Sequence, residues 1–451
     1  MEEQRLSTLA RLAGGTLLGG DRVIRRISLD SRDVEGDCLF LAVKGENTDG
    51  HKYLHGAAEN GAAAVMVHQD IGAFPLPVIR VDNTEQALLR MAAGYRDGFT
   101  LPVVAVTGSV GKTTTKDMAA AVLGAKYNTL KTAGNQNNQF GMPQTLLRLA
   151  KDTQAAVIEM GMTGLHEIEP LSLAAKPDTA IITNVGVSHL EQLGTRENIR
   201  RAKLEVLCGL RPEGALVLNG DNDMLAAVGE ETWPHILRCS LRDPRADFFA
   251  ADCKDDGRAL SFTLVHGGEN VPVVLPLSGE HHVMDALLAL AAGSCHGVSL
   301  AEGAAALAQL HPSGLRQKRL EVRGIQLVAD CYNANPDSMR ASLLAFAKLP
   351  TPGRRIAVLG DMLELGRIAE ESHREAGRLC AETGVGLLLC LGEEARRMAE
   401  EAGKHGLDAR HFTGAEELVK TLRAEAAPGD AVLFKASHSM GFEKLIEQFQ
   451  E

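Results

Sequence analysis

The sequence predicts an α/β protein of three domains, the second built round a phosphate-binding loop and the third Rossmann-like. Three observations predict it. Apolar Leu101 to Ala105 run into Val106-Thr-Gly-Ser-Val-Gly-Lys-Thr-Thr-Thr-Lys116 and then into helix-like Asp117 to Lys126, a strand, a glycine loop and a helix in order. Strand and helix signals alternate twice, from residue 101 and again beyond residue 314, which implies parallel sheets covered by helices. A length of 451 residues exceeds one ordinary core, so two or three domains are expected.

Residues 1–82 read as a small mixed domain. Ser7 to Ala13 forms a short helix that stops at Gly14-Gly15, since glycine reaches the left-handed conformation that ends helices. Cys38 to Val43 alternates as a strand, and Val65 to Val67 and Val78 to Val81 add two more. Ala87, Leu88, Met91, Ala92 and Tyr95 recur at helical spacing over residues 84–97, a helix leading into the second domain, 83–312. There, strands are expected at 103–107, 155–160, 179–183 and 215–218, and residues 245–277 are rich in strand signals. Residues 281–293 and 299–310 return to helix, and His311-Pro312-Ser313-Gly314 reads as a linker. The third domain, 313–451, has expected strands at 325–329, 356–360, 386–391 and 431–435, with helices over Glu370 to Glu382, Glu393 to Ala402 and Ala415 to Glu425.

The glycine loop carries the first chemistry. Amides of Gly108, Ser109, Val110 and Gly111 and the positive end of the helix point at oxyanions; Lys112 reaches terminal phosphates, and the Thr113 hydroxyl can hold Mg²⁺, with Thr114 beside it. The usual pattern wants glycine five residues before Gly111, where Val106 stands, so the loop is a shortened variant. Glu159 ends the next strand and His189 follows the one after. Ligands bind at this edge of open parallel sheets, so both are candidate metal ligands. Asn135, Asn137 and Asn138 crowd a loop whose amides can bind sugars, peptides or phosphates. Asp330 ends a strand of the third domain as a candidate acceptor for a ribose hydroxyl, ahead of the loop Tyr332-Asn333-Ala-Asn335-Pro336. Lys203 alone reads as a solvated helix charge.

Composition narrows the classes. A net charge of −11 argues against nucleic acid or an anionic membrane as main partner. Eight scattered cysteines without a Cys-x-x-Cys pair suit reduced thiols. Met1 to Arg5 lacks the basic and apolar regions of a signal peptide and no 18-residue apolar run exists, so a cytoplasmic enzyme without a membrane segment is expected.

Taken in order along nearly the whole chain, these residues resemble the Mur ligases, most closely the branch that adds D-alanyl-D-alanine to UDP-N-acetylmuramoyl-tripeptide. The shared positions are Asp30-Ser-Arg32, Asp49-Gly-His51, the short loop, Asn135 to Asn138, Glu159-Met-Gly161, Thr183-Asn184 to His189, Ala202-Lys203-x-Glu205 and Gly279-x-His281. They continue through Arg316, Tyr332 to Pro336, Gly360-Asp-Met362 with Glu364-Leu-Gly366, and Lys435-x-Ser437. The resemblance implies that ATP is bound by the loop, His281, Arg316, Asp330, Tyr332 and Asn333, with Lys112, Lys203, Arg316 and His189 catalytic. It implies two Mg²⁺ ions on Thr113, Glu159, His189 and a carbamylated Lys203. Ser31, Arg32, Asn135, Asn137, Asn138, Asn335, Lys435 and Ser437 are the implied substrate contacts. Residues 1–82 would then bind the UDP-sugar-peptide, 83–312 ATP, and 313–451 ATP and the dipeptide, in a monomer. His282, Asp285, Ala329, Ala436 and His438 depart from the family pattern. Asp-Asn-Pro-Arg, the third-domain loop of the amino-acid-adding relatives, is absent, as is the Asn-Lys-x-Asp of GTP switches.

Overall fold

The computed structural model describes residues 1–45, 48–311 and 317–451, so the expected linker His311 to Gly314 lies outside the described residues except for His311. Three sheets carry the fold. The first runs Thr16–Leu18, Val78–Arg80, Ala64–Val67, Cys38–Leu41, Arg26–Ser28, parallel except for its first pair.

The central sheet has nine strands. From one edge they are Thr129–Lys131, Ala155–Glu159, Val103–Thr107, Thr179–Ile182, Ala215–Asn219, Ile236–Ser240, Phe248–Asp255, Leu260–His266 and Glu269–Leu275. The first seven are parallel and the last two form an antiparallel meander. Strand alternation sorts the side chains. Val103 and Ala105 face a core shared with Leu6, Leu88 and Met91 of the N-terminal part, so that part is welded onto one sheet face. Val104 and Val106 face the opposite way, onto Met118 and Val122 of the helix Lys112–Gly124 and Leu287 of the helix His281–Ser294.

The third sheet runs Lys318–Val322, Ile325–Ala329, Ala431–Lys435, Arg355–Gly360, Leu387–Leu391, Ala409–Phe412, parallel after its first pair. Ala357 and Leu359 face one core while Ile356 and Val358 face another, so helices cover both sides.

Two features position the site. Val103–Thr107 lies between Ala155–Glu159 and Thr179–Ile182, so the chain reverses its direction of travel across the sheet there. Ligands bind at the carboxyl ends of parallel strands at such a switch point. In the third sheet Ala431–Lys435 is inserted between Ile325–Ala329 and Arg355–Gly360, which sets Lys435 beside Asp330 at the matching edge.

Candidate active site

The glycine loop leaves the strand Val103–Thr107 and ends at Gly111, the cap of the helix Lys112–Gly124. Its glycines are imposed by space. A Cβ on Gly108, at φ +151°, would meet Thr183 Oγ1 at 1.8 Å; one on Gly111, at φ +84°, would meet Asp285 Oδ1 at 2.7 Å. The amides of Ser109 and Val110 donate to Asn184 Oδ1 at 3.0 and 2.8 Å, and Lys112 Nζ donates to the Gly108 carbonyl at 2.9 Å. Thr183, Asn184 and the loop therefore form one bonded unit with backbone donors converging on an acceptor position, the arrangement that cradles phosphates.

Glu159, fully buried at its strand end, accepts from Thr113 Oγ1 at 2.8 Å through Oε2 and from Asn137 Nδ2 at 2.8 Å through Oε1. Lys116 Nζ stands 3.8 Å from the same carboxylate and 3.4 Å from Asp117 Oδ1. Burial pulls the Lys116 amine below its usual range, opposed by Asp117 and Glu159. Sequence reasoning missed Lys116, although its place one helical turn past Lys112 and Thr113 puts it on their face of the helix.

His189 adopts φ +63° and is pushed down to about 4 by burial and by the charges of Lys112 and Lys203. Its Nδ1 lies 2.8 Å from Glu364 Oε2 at an angle that forms no hydrogen bond, and among the described residues that buried nitrogen has no hydrogen-bond partner. Lys203, in the helix Arg196–Leu204, is 2 % exposed. Burial, then the charge of Lys112, holds its amine well below the usual lysine range.

Among the described residues no three His, Cys, Asp or Glu side chains cluster as a complete metal cage. A hard cation at the loop would instead take one buried carboxylate, a hydroxyl and phosphate oxygens. Thr113 and Glu159, joined at 2.8 Å, fit that requirement; the unbonded His189 nitrogen is a further donor, and Lys203 would offer an oxygen only as a carbamate.

These groups open into a cleft of about 780 Å³. One wall carries Ser109 to Thr114, Glu159, His189, Asn135, Asn137 and Asn138; the facing wall carries Asp330, Tyr332, Asn333, Asn335 and Lys435, with His281 and His282 also lining it. Lys435 Nζ, buried, donates to Asp330 Oδ2 at 2.8 Å and to the Asn333 carbonyl at 3.2 Å. Asn335 serves two elements: its Oδ1 caps the helix Pro336–Lys348 at Ser338 N, 2.8 Å, and its Nδ2 donates to Ser188 Oγ of the central domain at 2.7 Å. The departures His282 and Asp285 pair at 3.1 Å, and Asp285 also accepts from Thr115 Oγ1 at 3.0 Å. That exchanges two amides for an imidazole–carboxylate pair against the loop.

Other expected residues stand elsewhere. Ser31 and Arg32 do not line the cleft, and the exposed Arg32 guanidinium grips Asp30 at 2.7 and 2.9 Å, holding that carboxyl at about 2. Ser437 is buried in its own domain, where its Oγ accepts from Leu363 N at 3.0 Å. Arg316 lies outside the described residues.

Comparison with known proteins follows the same division. Residues 23–96 match the family described as Mur ligase family, catalytic domain; 106–293 match the Mur ligase middle domain, and 316–438 the Mur ligase, glutamate ligase domain. A protein of Bacillus subtilis (strain 168) named UDP-N-acetylmuramoyl-tripeptide--D-alanyl-D-alanine ligase is 36% identical over 459 residues, covering 100% of this chain and 99% of its own. One of that name from Escherichia coli (strain K12) is 34% identical, with 99% and 98% covered. Among solved structures, MurF from Acinetobacter baumannii superposes with a TM-score of 0.92 at 31% identity over 100% of this chain and 99% of the other. MurF ligase from Thermotoga maritima in complex with ADP does so at 0.83 and 28% identity, over 94% and 97%.

Proposed function

The chain belongs to the Mur ligase family, and on that premise we propose that it is the ATP-dependent ligase joining D-alanyl-D-alanine to UDP-N-acetylmuramoyl-tripeptide, giving the pentapeptide, ADP and phosphate. The observation that carries the reading is the cleft itself, where a phosphate loop and the buried Glu159 face Asp330 and Lys435 from a second sheet.

A carboxylate does not accept an amine unaided, because its carbon is a poor electrophile. In the proposed sequence an oxygen of the tripeptide's terminal carboxylate attacks the γ-phosphorus and ADP leaves. The dipeptide amine then attacks the acyl carbon, loses a proton, and the carbon–oxygen bond breaks to release phosphate. Two anions meet in the first step, so Lys112 and Arg316 neutralise charge. Holding both partners in one cleft can contribute on the order of 7–11 kcal/mol.

Thr113, Glu159, His189 and a carbamylated Lys203 would hold two Mg²⁺ ions, which supply Lewis-acid stabilisation of the phosphate oxygens when bound. Carbamylation requires the neutral amine to attack carbon dioxide and lose a proton, and the buried, depressed Lys203 amine supports it. His281, Asp330, Tyr332 and Asn333 would contact the nucleotide. Ser31, Arg32, the Asn135 to Asn138 loop, Asn335, Lys435 and Ser437 would contact the UDP-sugar-peptide and the dipeptide. Residues 1–82, 83–312 and 313–451 then act as UDP-sugar-peptide, ATP and ATP–dipeptide domains of a monomer, since one chain supplies both cleft walls. No helix among the described residues is long and apolar enough to cross a membrane, and we place the reaction in the cytoplasm, where ATP is available.

The assay is phosphate release from ATP with each substrate omitted in turn. Release is expected only when UDP-N-acetylmuramoyl-tripeptide and D-alanyl-D-alanine are both present. Equal turnover without the dipeptide would sink the reading.

A further inference from the structure

We infer that Glu364 is the carboxylate that receives the amino group of the incoming dipeptide, an assignment that rests on the ligase reading above. The dipeptide's amine is largely an ammonium at neutral pH, and it must be held at the phosphate end of the cleft, where the acyl phosphate forms. His189 marks that end, lining the cleft together with Lys112 and Thr113. Glu364 Oε2 stands 2.8 Å from His189 Nδ1, and the side chain is half exposed.

Most of the other carboxylates around this end are committed. Glu159 accepts from Thr113 and Asn137, and Asp285 from Thr115 and His282. Glu167 accepts from the Thr163 amide and hydroxyl at 2.8 and 2.9 Å, and Asp330 is held by Lys435. Asp337 is desolvated against the Val187 amide with Arg196 nearby. Glu85 lines the cleft from the helix Thr84–Arg96 that follows the first sheet, whereas Glu364 is not among the lining residues and meets the cleft through His189, which is. Glu364 faces His189 alone among the described residues and forms no hydrogen bond there.

Backbone geometry supports a built position. Glu364 holds φ +62°, a conformation unfavourable for a residue with a Cβ and kept where surroundings impose it. Gly366 at φ +52° closes the same turn, and a Cβ on it would lie 3.3 Å from Glu191 Cβ, so the turn is seated on the segment that carries His189. Leu363, just before Glu364, is fixed by Ser437 Oγ. The turn thus ties the third domain's Ser437 side to the phosphate end, and Glu364 is a charged group at that junction. A carboxylate paired with an ammonium makes a charge-assisted hydrogen bond, about twice as strong as a neutral one.

The test compares E364Q and E364D with the unaltered enzyme, with D-alanyl-D-alanine and then hydroxylamine as acceptor. Hydroxylamine is a neutral amine that needs no ammonium anchor. E364Q should raise KM for the dipeptide roughly tenfold or more, with KM for ATP unchanged and part of the loss recovered in E364D. Acyl phosphate trapped by borohydride reduction, and hydroxamate formed from hydroxylamine, should stay at the unaltered level in E364Q. An unchanged dipeptide KM in E364Q, or acyl phosphate and hydroxamate falling in step with dipeptide ligation, would overturn the assignment. Phosphate release by the unaltered enzyme without any acceptor would instead overturn the ligase reading.

Discussion

A lysine amine that is neutral near pH 7 is a nucleophile, and Lys203 is driven towards that state by burial and by the positive field of Lys112. A carbamate there reverses the local sign, replacing a cation beside Lys112 with an anion. Removing it should cost activity on the scale of losing one charge-stabilising group. K203A is therefore expected to lower kcat by roughly 10²-fold or more, with partial rescue by formate or acetate, measured as phosphate release. Full activity in unrescued K203A would refute the carbamate. In the sequence, Lys203 sits within Arg201-Ala-Lys-Leu-Glu205 and reads as a solvated charge. Only the resemblance singled it out, because burial of one helix face depends on what packs against it. The glycine loop was legible from spacing alone, since its chemistry is backbone chemistry and short in sequence. Lys116 and Glu364 were not read as site residues, because Glu159 and His189, their partners, lie 43 and 175 residues away.

At the scale of elements, Asp361 shows how a motif residue shapes a helix start. Its Oδ1 accepts from Ala395 N at 2.6 Å and its Oδ2 from Glu393 N at 3.1 Å, so residues 393–395 form a turn anchored on the neighbouring strand end before the helix Arg396–Lys404 begins. D361A leaves those two buried or half-buried amides without an acceptor and should cost about 1–3 kcal/mol, seen as a lower urea midpoint at unchanged slope. An unchanged midpoint would mean that water replaces both bonds. The same anchoring explains why the helix starts at Arg396 when periodicity predicts Glu393. Interior parallel strands were legible for the opposite reason: Val103–Thr107 and Leu387–Leu391 are buried on both faces and read as apolar runs. The edge strands Thr129–Lys131, Lys318–Val322 and Ala409–Phe412 mix polar and apolar residues and escaped notice. An edge strand gains its identity from one neighbour, and no sequence window contains that neighbour.

At the scale of the whole molecule, the cleft exists because the third sheet is docked on the segment following Thr179–Ile182. Among the described residues, contacts at that seam include Asn335 Nδ2 to Ser188 Oγ, Glu364 to His189, Gly366 against Glu191, and Asp337 against Gly186. None is a large apolar surface, and polar interfaces between domains of one chain permit relative motion. Gly186 is one point where room is tight, since a Cβ there would come within 2.1 Å of Asp337 Oδ2. Asp337 is exposed as a residue, although desolvation of its carboxyl against this segment pushes its pKa up, so its side chain is what must give way to a Cβ at Gly186. G186A should therefore push the Asp337 side chain aside and loosen the seam, at the low end of the about 1–3 kcal/mol usual for overpacking. If closure assembles the site, ATP with the UDP-tripeptide compacts the unaltered protein, and G186A compacts less while its KM for ATP rises. Small-angle scattering with both ligands reads the difference directly. Equal radii of gyration for the two proteins, with equal KM, would mean that the seam at Gly186 does not govern docking and that closure must be sought at another contact.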